Sequence, residues 1–393
     1  MTAEWFDLGQ RLHAARTGRP VPRILHSPVP PITRPVAVRA RVQGGGLVVT
    51  AAGPGSPAGT AYDADALVLL GDLGVQVTGE RWQSLVTDDP GTLPALLALA
   101  RRTDPDSPAG EVAAHIAWWA DRADFPGSSA VVRLLDGCRT RWTTGCVPDA
   151  ETHPVTWRTW LDVPDDGCSG LLTILDRLTD GPPLPLLDSI TEDDEWSWGK
   201  TQGEHTDGWD WRRPDTTSRA ATGLRARCDA ADLYAAALLA DPLYRRRAVH
   251  TGHVVTGHVV TGHAEHPTTG RNRLTVVCER MDARLRTGNA VTGWQGAPAD
   301  TPPDRFHGCV AETGVQAGRL VLNLTGVSTH LPEHGAPVTL TATAPNPFTM
   351  RAGRRRYSRL YGARRSWLTT GRTPLTTRRD VPLDVLVAGA ENT

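Results

Sequence analysis

The stretch GHAEHPTTGRNRLTVVCERMDARLRTGNAVTGW (262–294) can be laid against GCVAETGVQAGRLVLNLTGVSTHLPEHGAPVTLTA (308–342). Gly262 meets Gly308, Arg273-Leu274 meets Arg319-Leu320, and Leu285 meets Leu331. After a one-residue insertion, Gly288 meets Gly335 and Val291-Thr292 meets Val338-Thr339. Leu274, Val276 and Cys278 recur at every second position, as do Leu320, Leu322 and Leu324, which is strand periodicity. Units of about 46 residues are too short to bury much core alone and gain by pairing their apolar faces. The expected product is either two small half-barrels packed together or one closed barrel made from a duplicated unit.

Just upstream lies HTGHVVTGHVVTGHAEH (250–266), where TGHVV occurs twice and five histidines fall in seventeen residues. Along a strand, five residues cover roughly 16 Å and an odd offset turns the side chain to the other face, so His253, His258 and His263 cannot converge on one ion. Zinc needs its ligand atoms within about 2.0–2.2 Å. His263 and Glu265 share a face and match the H-x-E half of the zinc deaminase signature, whose P-C-x-x-C half is absent. The stretch reads as a short tandem duplication in a strand, with Val254, Val255, Val259 and Val260 as its apolar surface.

Toward the N-terminus, residues 3–16 predict a short helix, followed by a proline-rich connector over 20–35. VAVRARVQGGGLVVTAAG (36–53) alternates Val36, Val38, Ala40 and Val42 up to a GGG turn, the pattern of a hairpin. From residue 92, helical patterns take over in TLPALLALARR, GEVAAHIAWWADRAD, SSAVVRLLDGCRTRW, HPVTWRTWL and GLLTILDRL. The acidic, tryptophan-rich segment at 188–216 is expected to be a long loop. SRAATGLRARCDAADLYAAALLA then spaces Leu224, Cys228, Ala231, Ala235 and Leu238 on one helix face, with Asp241-Pro242 marking its end.

The expected fold is α+β and multi-domain. It comprises a small N-terminal β-containing region (1–90), a helical domain (91–247), the duplicated β-barrel module (248–345) and a basic segment ending in a strand (346–393). At 393 residues, 39% hydrophobic and 22% charged, the chain is long enough for two or three cores, and its 39 Gly and 31 Pro imply many loops. The first residues carry Glu4 and Asp7 and lack an apolar core of signal-peptide length, and no run reaches the ~18 apolar residues that span a bilayer. A cytoplasmic protein without a membrane partner is the expectation. The six cysteines form no CxxC pair, so free, mostly buried thiols are expected.

RAGRRRYSRLYGARRSWLTTGRTPLTTRR (351–379) has ten arginines and no acid. The last 43 residues carry +7, although the whole chain carries −1. Guanidinium groups interleaved with aromatics suit phosphate backbones and stacked bases. The expected nucleic-acid contacts are Arg351, Arg354, Arg355, Arg356, Tyr357, Arg359, Tyr361, Arg364, Arg365, Trp367 and Arg372. Val381, Leu383, Val385 and Val387 predict a strand that would anchor this arm.

The function expected is a non-enzymatic nucleic-acid-binding accessory or adaptor protein, with a protein partner for the helical domain. One rival is a scaffold whose basic arm docks on an acidic surface. Another is a metal-dependent enzyme using Glu192, Asp193, Asp194 and Glu195, or His263 with Glu265. WGKT (198–201) lacks the upstream glycine of a phosphate loop, no G-x-S-x-G elbow marks a nucleophile, and no motif asks for a cofactor. His115 reads as a packing histidine, and Trp118, Trp119, Trp157 and Trp160 as core anchors.

Overall fold

The computed structural model describes residues 2–262, 272–327 and 331–370. Two compact units emerge: Met1–Arg213 with Arg227–Pro347, and Pro214–Ala226 with Phe348–Thr393.

The first unit opens with α1 (Ala3–Thr17) and the short β1 (Val21–Pro22). Next come β2 (Pro35–Gln43) and β3 (Gly46–Ala52), joined by a turn in which Gly44 and Gly45 have φ of 62° and 87°. Glycine takes this pair of left-handed conformations without a Cβ clash, and the turn's twist matches that of the two strands. After β4 (Gly59–Tyr62), α2 (Asp65–Asp72) leads across to β5 (Ser84–Thr87), which is parallel to β2. α3 (Thr92–Ala100) and α4 (Pro108–Arg122) lead to β6 (Val131–Arg133), parallel to β5, and complete a sheet of order β4-β3-β2-β5-β6. The chain continues through α5 (Leu134–Arg141), β7 (Trp142–Thr143), α6 (Pro154–Trp160), α7 (Cys168–Thr179), α8 (Leu187–Thr206), α9 (Thr217–Ala240) and α10 (Pro242–His250).

Alternation along β2 sends Val36, Val38 and Ala40 into a core with Leu67, Leu96, Ile116 and Trp198. Ala37 faces the other way, with Val86, Val132, Trp157 and Leu171. The sheet is thus a middle layer between two helical layers. β6 lies inside the 128–142 stretch expected to be helical throughout, and it unites the N-terminal β region with the helical region. Val131-Val132 is too short to show a period, and a parallel strand covered on both faces has no polar side to alternate with.

The loop expected at 188–216 is in large part α8, a 20-residue helix. Its buried stripe is Leu187, Ile190, Asp194 and Trp198. The spacing is helical, but one member of the stripe is a carboxylate, which hides the pattern from a hydrophobicity reading. The face expected for α9 is also corrected. Leu224 is 46% exposed and Cys228 is exposed, whereas Ala230, Leu233 and Ala237 are buried. Alanines occur on every side of this helix, so its sequence offers two candidate stripes. Its end stands where expected: Asp241 Oδ1 accepts from Leu243 N and Tyr244 N and caps α10. The other oxygen, Oδ2, accepts from Leu25 N at 2.8 Å.

A closed barrel follows, built from β8 (Val254–Gly262), β9 (Asn272–Cys278), β10 (Ala290–Gln295), β11 (Phe306–Gln316), β12 (Arg319–Val327) and β13 (Pro337–Ala342). Of the two expected arrangements, this is the single closed barrel. The ring order is β10-β11-β12-β9-β8-β13, every neighbouring pair antiparallel. Exchanging β8 with β11, β9 with β12 and β10 with β13 returns the same ring. Val255, Leu274, Val276, Phe306, Leu322 and Leu340 help fill its centre. At the base of the barrel, the buried Arg245 of α10 donates to the carbonyls of Pro298 and Asp300, which ties the helical layer to the β10–β11 connection.

The second unit holds the first turns of α9 together with α11 (Pro347–Gly362) and α12 (Trp367–Thr370). Among the described residues, no helix is long and apolar enough to cross a membrane.

Candidate functional site

The described part of the basic segment is mainly helical, in α11 and α12. Within α11, Arg355, Arg356 and Arg359 are exposed, and so are Arg364 and Arg365 just beyond it; Arg351 and Arg354 are half-buried. Arg355 and Arg359 stand one turn apart, so their like charges repel, and no acid occurs between 348 and 370 to relieve them. Tyr357 is 37% exposed and its ring stacks on that of Tyr361, with centroids 6.0 Å apart and planes 26° apart. The Arg225 guanidinium lies over Tyr357 at 4.9 Å. Tyr361 itself is buried, at 4% exposure, and is therefore the base of the stack and not an open platform for a base, which corrects the role expected of it. Trp367 begins α12. Arg372 and the strand expected over 381–387 lie outside the described residues.

Carboxylates 192–195 do not form a metal site. Asp194 is fully buried and accepts from Arg122 Nε at 2.8 Å, Ser129 N at 2.7 Å and both the Ser128 and Ser129 hydroxyls. Its lone pairs are spent on pinning α8 to the end of α4 and the turn before β6. Among the described residues, no group of three His, Cys, Asp or Glu could hold a metal ion. His253 bonds Thr251 Oγ1 at 2.9 Å, while His258 lies 3.7 Å from Glu279. His263, Glu265 and His266 lie outside the described residues.

His115 has both ring nitrogens 3.2 Å from carbonyl oxygens, of Gln76 and Gln83, and it packs edge-on against Trp119 at 4.9 Å. Complete burial pushes its pKa down from 6.5 to about 4. It is a neutral packing group. The thiols are free, and Cys138, Cys168 and Cys278 are buried. Burial raises Cys168 to about 11 and Cys278 to about 12, so neither is a nucleophile at neutral pH.

What the sequence reading missed is a set of clefts beside α5. One, of about 450 Å³, lies beyond the carboxyl ends of the parallel strands β5 and β6, between Asp88-Asp89-Pro90 on one side and Arg133, Asp136 and Arg139 on the other. That is where open sheets with parallel strands place ligands. A second, of about 350 Å³, is lined by Pro28, Pro30, Phe125, Thr140 and Tyr234, and a third, of about 310 Å³, by Arg23, Arg139, Tyr244 and Arg247. All three share Asp136. The signal that would have found them is the strand character of Val131-Val132, from which the crossover follows.

No family model, curated protein or solved structure matches the chain. Function rests on this geometry alone.

Proposed function

We propose that α11 and the arginines after it are a nucleic-acid contact with little sequence preference, and that the protein is a non-enzymatic accessory factor. The observation that carries this reading is the set of exposed guanidinium groups of Arg355, Arg356, Arg359, Arg364 and Arg365 on a segment without acids. The second unit's described residues hold nine arginines against one aspartate, Asp215, which pairs with Arg219 at 3.0 Å. Phosphates would relieve the repulsion along α11, and arginine's planar fork takes two phosphate oxygens at once. Tyr357, held between Arg225 and Tyr361, keeps about a third of its surface exposed beside these arginines.

The barrel fits the reading as a duplicated scaffold. Val276 pairs with Leu322 and Gly293 with Leu340, and each pair joins positions that are equivalent in the sequence repeat. Two self-pairings of this kind are what a duplicated unit closing on itself about a two-fold axis produces.

The test is binding of mixed-sequence single- and double-stranded DNA and RNA across a salt series. A steep loss of affinity with salt supports the reading. Absence of salt-dependent binding at low ionic strength would end it and favour docking of the arm on an acidic protein surface.

A further inference from the structure

Three arginines from separate elements converge on the smallest of the three clefts. Arg23 comes from the connector after β1, Arg139 from α5 and Arg247 from α10, and Tyr244, Thr140, Leu238 and Asp136 complete the wall. Their guanidinium groups are only partly used. Arg247 is forked onto Asp7 through Nε and one terminal nitrogen, both at 2.8 Å. Arg23 donates to the Arg139 carbonyl at 3.4 Å and to Thr143 Oγ1 at 3.2 Å, while its buried Nε has no hydrogen-bond partner. Arg139 is exposed and makes no side-chain hydrogen bond or ion pair among the described residues.

An orphaned buried donor is destabilising, and like-charged groups brought close together add to that cost. Burial lowers the pKa of Arg23, with the nearby Arg247 and Arg11 charges adding to it and Asp7 and Glu151 opposing, so the two carboxylates do not fully offset burial and the neighbouring cations. An oxyanion in the cleft would supply further counter-charge and accept from the unused N–H groups.

We infer that this cleft binds the phosphate of a small phosphate monoester, held between Arg23, Arg139 and Arg247. The neighbouring 350 Å³ cleft shares Asp136 and Thr140 with it and is walled by Pro28, Pro30 and Phe125, which gives room for the body of the ester. At the seam, Asp136 repels a second anionic group and accepts from a hydroxyl. The ligand class is therefore a hydroxylated phosphate monoester and not a polyphosphate. This site is independent of α11: it lies wholly in the first unit.

The experiment is calorimetric titration of the full chain at fixed ionic strength with inorganic phosphate, glycerol 3-phosphate and pyrophosphate. The proteins are the wild type, Arg139→Gln, Asp136→Asn and a variant with Arg355, Arg356, Arg359, Arg364 and Arg365 changed to alanine. The expected result is saturable binding of phosphate, several-fold tighter for glycerol 3-phosphate and weaker for pyrophosphate. Arg139→Gln should weaken binding at least tenfold, and Asp136→Asn should abolish the preference for the hydroxylated ester. The five-arginine variant should bind as the wild type does. No saturable binding, or binding kept in Arg139→Gln and lost in the five-arginine variant, would overturn the site. Equal affinity for phosphate and glycerol 3-phosphate would overturn the assignment of the ester.

Discussion

Val276 of β9 and Leu322 of β12 pair directly across the barrel wall, and both are completely buried. In the alignment of 262–294 with 308–342 the two residues occupy the same position. Replacing Leu322 by alanine removes methyl groups where the closed wall cannot collapse, and we expect a loss of about 2–5 kcal/mol in denaturant unfolding. The equivalent change at the half-exposed Leu320 should cost much less.

The pairing of Gly293 with Leu340 sets a space limit. A Cβ at Gly293 would stand 2.3 Å from Phe306 Cζ and 2.7 Å from a Leu340 methyl carbon, so Gly293→Ala should destabilise by about 1–3 kcal/mol through overpacking. Gly314→Ala, in open space on β11, should leave the unfolding midpoint nearly unchanged.

Asp194→Asn leaves the buried Arg122 without its counter-charge. Breaking such a pair from one side costs about 3–5 kcal/mol. Glu195→Gln, one residue on and exposed, should change stability by less than about 0.5 kcal/mol. Parallel chemical unfolding of the two variants is the comparison.

His115 makes stability depend on acid. Its folded pKa of about 4 lies below the ordinary 6.5, so the unfolded chain takes up the proton more readily than the folded one. Stability contributed by the neutral ring is complete above pH 6.5 and is lost as pH falls toward 4, by about 3 kcal/mol at most. His115→Gln should flatten the unfolding midpoint against pH across that window, whatever its effect at pH 7.

On α11, the two tyrosines should separate. Tyr357→Ala should weaken single-strand binding by less than the roughly 1–3 kcal/mol of a full base stack, with the fold intact, whereas Tyr361→Ala should lower stability in the absence of any nucleic acid. Alanine at Arg355, Arg356, Arg359, Arg364 and Arg365 should reduce both affinity and the slope of log affinity against log salt, by up to about 0.9 for each duplex phosphate that is no longer neutralised.

The barrel was legible because its strands are half-exposed: Leu274 and Val276 alternate with Arg273, Thr275 and Val277, and the period survives in the sequence. The GGG turn was legible because the left-handed pair demands glycine. β5 and β6 were not, since strands of four and three residues are too short to show a period and β5 is buried throughout. α8 was hidden by Asp194, a charge where the stripe wants a hydrophobe, and α9 by its alanines. The basic surface was visible from charge alone, but the burial of Tyr361 depends on a stack that only folding creates. The Arg23–Arg139–Arg247 cleft was beyond reach, because its members are brought together from residues more than a hundred positions apart.

The closed ring of six strands has a further consequence for recognition. The ring closes with every strand hydrogen-bonded to two neighbours, and one-sided backbone is confined to strand ends such as Glu312–Gln316 of β11, which pairs with β12 alone. Over the closed part of the ring a partner must engage side chains and connecting loops, and the protruding β11–β12 hairpin is where backbone remains open to strand addition.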